Sequence, residues 1–529
     1  MKVVAVIQAR MSSSRLPGKV LKKLAGATVL SHVIARVKAS GTAAEIVVAT
    51  TEKPADDMVA AEAARCGAKV FRGSEEDVLS RYYLAAKEHS AEAVLRVTAD
   101  DPLMDPGVLG AMVKLFREEA SRGASPDYLS NNLGKRTFPL GLDVEVVRFG
   151  ALETAFREAA EPYEREHVTP FLYRHPEKFK LKNFANTKDL SAHRWTLDTP
   201  EDWEKLSGIY DTLYKDGKIF DTQEVLRYLK EFVLGTAQLG MPYGLDAQRA
   251  PSSEEVQAIL QEAAAAGVQR VDTARAYGEA EKRIGQALGG RENVAVVTKL
   301  DPLSSLSKDA PEENVRLAVD ASVQSSCLNL KTQTLPVLLL HRWEHRKNFS
   351  GAVWRRLLEL KAAGRVHKLG VSVYEPKEAL EALSDREVEH LQLPFNILDR
   401  RWHAVGEAAL KRPEVTVDAR SVFLQGLLTL EDAPLQKFEG AGIHGFIEKM
   451  NALVREFKRE SRADLCLAYV RAQSWIQGVV LGSQTLGQLK ENLRLFGKSP
   501  LRAEQARRIE AELIGAGEEL LNPSRWRLS

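Results

Sequence analysis

From Phe232 onward, strand-like runs and amphipathic helical stretches alternate eight times, the strands reading FVLGT, RVDTA, VAVVTKL, LPVLLLH, KLGVSV, HLQLPF, VTVDARSVF and GVVLGS. Eight strand-then-helix units in about 300 residues is the count of a (β/α)8, or TIM, barrel. In that architecture the loops that follow the strands form the working face, so ionisable residues at C-terminal strand ends are the ones to examine.

The preceding residues alternate as well, with VVAVIQA, EIVVATT, KVFRG and AVLRVTA separated by helical segments such as VLSHVIARVKAS and EDVLSRYYLAAKEH. This predicts a Rossmann-like α/β domain with a mostly parallel sheet and covering helices. Between Asp127 and Thr199 the pattern is irregular, with DYLSNN, LDVEVVRF and RWTLDT as strands, and helices follow near 201–216 and 222–231. The sheet is therefore expected to be mixed at one edge. A length of 529 residues exceeds what one core supports, and LRYLKE runs into FVLGTAQLG without a linker. Two domains, 1–231 and 232–529, are expected.

Lys plus Arg number 74 against 72 for Asp plus Glu, a net charge of +2 that predicts neither a nucleic-acid nor a membrane surface. Any anionic partner must then be met by a local site. Cys66, Cys327 and Cys466 lie far apart with no metal spacing, which fits a reducing compartment. The apolar run in MKVVAVIQAR is short and broken by charge, and no stretch approaches the ~20 apolar residues of a membrane span. A cytoplasmic protein is expected, and a homo-oligomer is compatible with this reading.

In the second half, Asp272 follows strand two, Tyr277 lies in the loop beyond it, and Lys299 and His341 end strands three and four. Carbonyl reduction needs a phenol to protonate the developing alkoxide and a cation to draw the phenol's pKa down from ~10. Tyr277 is the expected acid and Lys299 the tuning cation, with Asp272 holding the lysine and His341 orienting the substrate oxygen. Singly, such residues are ordinary struts and packing groups. Four in register at successive strand ends are not.

In the first half, strand one ends at Gln8, Ala9 and Arg10, and the loop MSSSRLPGK brings three serines, Arg15, Gly18 and Lys19. Backbone amides and cations together suit a triphosphate, although the GxxxxGK[ST] spacing of a P-loop is absent. Asp100 in RVTADDPLMDP and Asp198 in RWTLDTPEDWE each end a strand before a proline-punctuated turn. Two carboxylates from separate strand ends can hold one Mg²⁺ whose shell the phosphates complete. The same segments also read as helix N-caps, and the two roles are compatible.

With these residues placed, the second half resembles the aldo/keto reductase family. LGTAQLG, DTARAYGEAEKRIG with Glu281 and Gly285, GVS and GSQTLGQLKEN fall in family order across 232–529. The resemblance implies a nicotinamide cofactor, NADP or NAD, lying across the barrel mouth near Gly235 and Thr236. Ser372 and Gln392 would meet the carboxamide, the Gly482–Ser483 turn a phosphate, and Glu491 and Asn492 the adenine. Three departures stand out. Arg420 occupies the place of an aromatic ring that stacks on the nicotinamide, Val373 replaces an amide, and the positions that meet a 2′-phosphate fall on the uncharged Gly482, Gln484 and Gln488. Without charge-assisted bonds, each worth roughly 1.5–3 kcal/mol, NAD is as well suited as NADP.

The first half resembles the cytidylyltransferases that activate acidic sugars, and most closely their spore-coat polysaccharide branch. IQARMSSSRLPGK, RGSEEDVLSRYY, RVTADDPLMDP, GLDVEV, REHVTPFLYRHPEKF and LDTPEDWE carry the likeness across roughly 1–230. It implies attack of a substrate oxygen on the α-phosphorus of CTP with pyrophosphate leaving. Lys19, Arg10 and Arg15 would neutralise phosphates, and Asp100 and Asp198 would hold Mg²⁺. Arg72, Ser74, Asp77 and Arg81 are candidates for base, ribose or acceptor, and Asp143 for the acceptor. The expectation is a bifunctional enzyme whose partners are CTP, a sugar-like acceptor and a carbonyl compound. Two alternatives remain: a different nucleotide or a nucleotide-sugar donor in the first half, and a cofactor-binding scaffold with little turnover in the second.

Overall fold

Strand β1 (Val3–Gln8) is apolar on both sides: Val3, Ala5 and Ile7 enter one core, Val4 and Val6 another. Such a strand belongs in the middle of a sheet covered on both faces. In the computed structural model it pairs in parallel with β2 (Glu45–Thr51) and β4 (Ala93–Thr98), while β3 (Lys69–Gly73) flanks β2. Beyond β4 lie β6 (Glu145–Arg148), β5 (Tyr128–Ser130) and β7 (Leu181–Asn183), giving the order β3-β2-β1-β4-β6-β5-β7. Only β6 runs against the rest, so the sheet is mixed at that edge.

These strands belong to the first of two units, Met1–Val225 and Leu226–Ser529. The structure describes all residues except 14, 188, 192, 244–249, 290–293, 308, 431–441, 524–525 and 527–529. Ser14, one of the three loop serines, lies outside the described residues. The expected strand RWTLDT makes a single bridge, Arg194 to Leu140. Its backbone serves the neighbouring loops instead: Trp195 N donates to Leu140 O at 2.7 Å and Leu197 N to Asp100 O at 2.8 Å. The helix Pro200–Leu213 lies near the end of this unit, and the helix Thr222–Leu229 runs across the boundary after Val225.

The second unit is a closed, all-parallel barrel of β8 (Glu231–Gly235), β9 (Arg270–Asp272), β10 (Ala295–Lys299), β11 (Leu335–Leu340), β12 (Val366–Ser372), β13 (His390–Pro394), β14 (Thr416–Arg420) and β15 (Gly478–Gly482). All eight expected strands are present, and β15 closes on β8. A polar knot, buried at Arg270, His390 and Asp418, joins four strands. Asp418 accepts from Arg270 at 2.9 Å and pairs with His390 at 2.8 Å, and Arg270 also reaches Glu231 at 3.1 Å. Burial pushes the Asp418 carboxyl up, but Arg270 and His390 outweigh it and bring it down to about 2. The barrel interior is thus filled by packed side chains and holds this ionic cluster, in which Arg270 Nε alone is buried without a hydrogen-bond partner among the described residues.

Candidate active sites

In the first unit the loop after β1 turns back where Gly18, at φ +67°, donates from its N–H to Met11 O at 3.2 Å. That left-handed conformation suits glycine, and it launches the short turn Lys19–Leu21. Lys19 Nζ is then delivered 2.6 Å from Asp100 Oδ2, 2.9 Å from Asp198 Oδ1 and 2.8 Å from Leu197 O. Burial works against the Lys19 charge, yet Asp100 and Asp198 hold the ammonium above its ordinary value. Burial also pushes Asp198 up, and hydrogen bonds and charge from Lys19, Arg194 and Arg15 overcome it, leaving the carboxyl low. Arg15 stands 3.3 Å from Asp198.

The sequence reading missed Arg194, which grips Asp198 Oδ2 at 2.9 Å and both oxygens of Asp202 at 2.9 Å. Asp202 in turn accepts from Asp198 N and Thr199 N, at 2.9 and 3.0 Å, in the capping box of the helix Pro200–Leu213. Asp198 is thereby aimed by the same motif that starts the helix. Asp100 caps no helix; that role falls to Asp105, which accepts from Gly107 N at 2.7 Å. Asp101, also missed, is buried under the site, where burial and the Asp100 charge push it up to about 8.

The other expected nucleotide contacts are spread around this point. Arg10 is partly exposed and makes no hydrogen bond or ion pair among the described residues, while Ala9 is buried with its N–H on Ala49 O at 3.2 Å. Arg72 is occupied by Thr51 O at 2.9 Å, Asp57 at 2.6 Å and Lys53 O at 3.0 Å. Ser74 Oγ accepts from Asp77 N at 3.1 Å, and Asp77 caps the helix Val78–Glu88. Arg81 is buried, and Asp143 is taken by Arg136 at 2.6 Å and Asn132 at 2.9 Å. Among these residues Lys19, Asp100, Asp198 and Arg15 come together, Arg72 and Asp143 are committed to the protein itself, and Arg81 is buried with Nε and Nη1 lacking a hydrogen-bond partner among the described residues.

In the barrel, the loop carrying Tyr277 packs on the turn Ala237–Gly240: a Cβ on Gly240 would lie 1.9 Å from Tyr277 O. Only glycine permits that approach, which accounts for the last residue of LGTAQLG. Asp272, Tyr277, Lys299 and His341 converge at the strand ends. Lys299 Nζ lies 2.7 and 2.9 Å from the two Asp272 oxygens and 2.9 Å from Thr273 O, and 5.1 Å from the centre of the Tyr277 ring. The His341 ring stands edge-on to Tyr277 at 6.2 Å.

Burial, then the Asp272 charge, pushes the Tyr277 phenol well above its ordinary value, with Arg420 pulling the other way. The expected lowering of the phenol is not seen: burial dominates, and the Lys299 ammonium is paired with Asp272. Burial and the charges of Lys299 and Arg420 bring His341 down to about 3, so its imidazole is neutral. The pair is thus an un-ionised phenol and an un-ionised imidazole: a proton donor and a hydrogen-bonding group.

Tyr277 and Asp272 line a cavity of about 540 Å³ together with Gly235, Thr236, Arg420, Gly482, Gln488, Glu491 and Asn492. Gln392 and Ser372 are buried beneath it, and Gln392 Nε2 donates to Asp272 Oδ1 at 2.7 Å, leaving Oε1 buried without a partner. Ser483 is buried and bonded by Asn492 Nδ2 at 3.1 Å. Gln488 Oε1 accepts from Gln484 N at 2.7 Å at the start of the helix Leu486–Phe496. Glu491 is paired to Arg494 at 2.7 Å.

The comparisons with known proteins divide the chain in the same way. The aldo/keto reductase family profile matches residues 231–514, and the cytidylyltransferase profile matches 4–231. The chain is 38% identical over 206 residues to the uncharacterized protein MJ1063 of Methanocaldococcus jannaschii, covering 39% of this chain and 81% of that one. It is 34% identical over 215 residues to the spore coat polysaccharide biosynthesis protein SpsF of Bacillus subtilis, covering 39% and 86%. Its second unit is 27% identical over 279 residues to the uncharacterized oxidoreductase YqkF of Bacillus subtilis, covering 49% and 85%. The chain belongs to the cytidylyltransferase family in its first unit and to the aldo/keto reductase family in its second. It joins a nucleotidyltransferase to an oxidoreductase.

Proposed function

We propose that the first unit transfers CMP from CTP to an oxygen of an acidic, sugar-like acceptor with Mg²⁺, and that the second reduces a carbonyl compound with NADH or NADPH. The observation that carries the transferase reading is the convergence of Asp100 and Asp198 on one cation, Lys19. Two carboxylate oxygens sharing a positive neighbour are a hard-oxygen donor set, and Mg²⁺ is typically held by one or two carboxylates with phosphates and waters. A bound Mg²⁺ supplies charge neutralisation at the phosphates. Lys19, released from the acids, donates to the triphosphate, and Arg10 and Arg15 flank the departing pyrophosphate. The acceptor oxygen forms the new bond at the α-phosphorus as the bond to pyrophosphate breaks, so positioning and charge supply most of the rate.

In the barrel, a bound reduced nicotinamide supplies the hydride. The chain supplies the proton from the Tyr277 hydroxyl to the carbonyl oxygen, with neutral His341 orienting that oxygen and the Lys299–Asp272 pair fixing the floor. The buried, unpartnered Oε1 of Gln392 is an acceptor suited to a carboxamide. The likeness to SpsF supports a place in cell-surface polysaccharide synthesis. The test uses the whole chain: pyrophosphate release is followed with each nucleoside triphosphate, Mg²⁺ and a panel of acidic sugars, and NADH and NADPH oxidation with a carbonyl panel. Thermal stabilisation by UDP-sugars and not by CTP overturns the transferase reading. An unaltered aldehyde-reduction rate in Tyr277→Phe overturns the reductase one.

A further inference from the structure

We propose that the reductase unit acts on oxo acids, and that Arg420 is the residue that reads their carboxylate; this rests on the reductase reading of the cavity. Arg420 ends β14 and lines the same cavity as Tyr277 and Asp272. It is built into place. Its Nη2 donates to Val373 O at 3.1 Å, its Nη1 lies 3.4 Å from Ser421 Oγ, and its guanidinium carbon sits 4.5 Å from the centre of the Tyr374 ring.

All three of these neighbours are neutral, and among the described residues no carboxylate pairs with Arg420. Among the described residues every other charge at the wall is already balanced: Asp272 by Lys299 and Glu491 by Arg494. Among these residues the charge left without a counter-charge at the reactive end is the Arg420 guanidinium, which has donors to spare. Its field reaches both reacting groups, since it opposes the rise of Tyr277 and adds to the fall of His341. A fixed, half-exposed guanidinium beside a proton donor is a receptor for an anion carried near the carbonyl. One cation matches a carboxylate monoanion better than a phosphate dianion. The product is the corresponding hydroxy acid: the carbonyl carbon gains hydride, its oxygen gains the Tyr277 proton, and the nicotinamide is oxidised.

The test compares each acid with its own ester, so that cofactor effects cancel in the ratio. Full-length protein is assayed with 4-oxobutanoate against its methyl ester, and with glyoxylate against methyl glyoxylate. The wild type is expected to favour an acid in kcat/KM by about 10- to 100-fold, the range of one charge-assisted hydrogen bond. Arg420→Leu is expected to collapse that ratio toward one, and Arg420→Lys to restore part of it. A second readout needs no turnover: 4-hydroxybutanoate binding to NAD⁺-loaded protein by calorimetry, present in wild type and lost in Arg420→Leu. If acid and ester fall together in Arg420→Leu with the ratio intact, Arg420 serves the cofactor and the proposal is overturned. A wild type with no preference for either acid and no binding of 4-hydroxybutanoate overturns it too, as does a preference for glyceraldehyde 3-phosphate over both acids. Failure of the reductase reading looks different: turnover persists in Tyr277→Phe while carboxylate binding still depends on Arg420.

Discussion

Lys299 is committed to Asp272, with Nζ 2.7 and 2.9 Å from the two carboxylate oxygens, and it holds Tyr277 only at a distance, 5.1 Å from the ring centre. In the proposed reduction the lysine therefore organises the floor of the site, and the phenol supplies the proton. Tyr277→Phe keeps the ring and removes that proton. Its kcat for aldehyde reduction is expected to fall by about 10²- to 10⁴-fold, with NADH affinity by fluorescence titration unchanged.

The reductase should show a flat pH profile. Tyr277 is raised, so it stays protonated below its shifted value, and His341 is lowered to about 3, so it stays neutral above that. Neither ionises between roughly pH 5 and 9, where ordinary histidine would titrate near 6.5. A limb near 6.5 in kcat/KM for a neutral aldehyde would assign a charged His341 a role it is not given above.

Chelation should separate the two activities. Excess EDTA is expected to abolish pyrophosphate release from CTP and leave NADH oxidation by an aldehyde intact, both measured on one preparation. Asp100→Asn and Asp198→Asn should reproduce the first loss individually, because each removes half of the proposed metal grip.

Asp418→Asn should weaken the barrel rather than its chemistry. The substitution leaves Arg270 facing Glu231 alone inside the strands, and breaking a buried pair costs about 3–5 kcal/mol. The sign with pH follows from the lowered carboxyl. Its contribution is fully present above the unfolded value near 3.9 and is lost as pH falls through about 2. Wild-type stability should therefore drop steeply in that window, and Asp418→Asn should lack that component of the drop.

The barrel was legible because strand-like and helical stretches alternate eight times in order, which marks even a strand as short as β9, Arg270–Asp272. The first sheet was legible through β4 for the same reason. Beyond it DYLSNN and LDVEVVRF were legible as β5 and β6, but the signal then fails: β7 is three residues, Leu-Lys-Asn, held by pairing with β5 and not by its own pattern, whereas RWTLDT looks strand-like and serves as a connecting loop. Site residues were legible where chemistry placed them at strand ends. Arg194 was not, since an arginine four residues before an aspartate looks like any surface pair until the chain folds it onto Asp198 and Asp202. The direction of the Tyr277 shift was missed because sequence names the neighbours of a phenol without showing how deeply the ring is buried or that the nearest cation is paired with Asp272.

The meeting of Lys19 with Asp100 and Asp198 has a further consequence. Two acids that would repel each other across an empty pocket are kept at peace by a resident counter-charge, so the cradle is shaped before any visitor arrives. Deleting the lysine should then harm folding more than deleting all three together, because the cost of losing it depends on whether the two acids are still there.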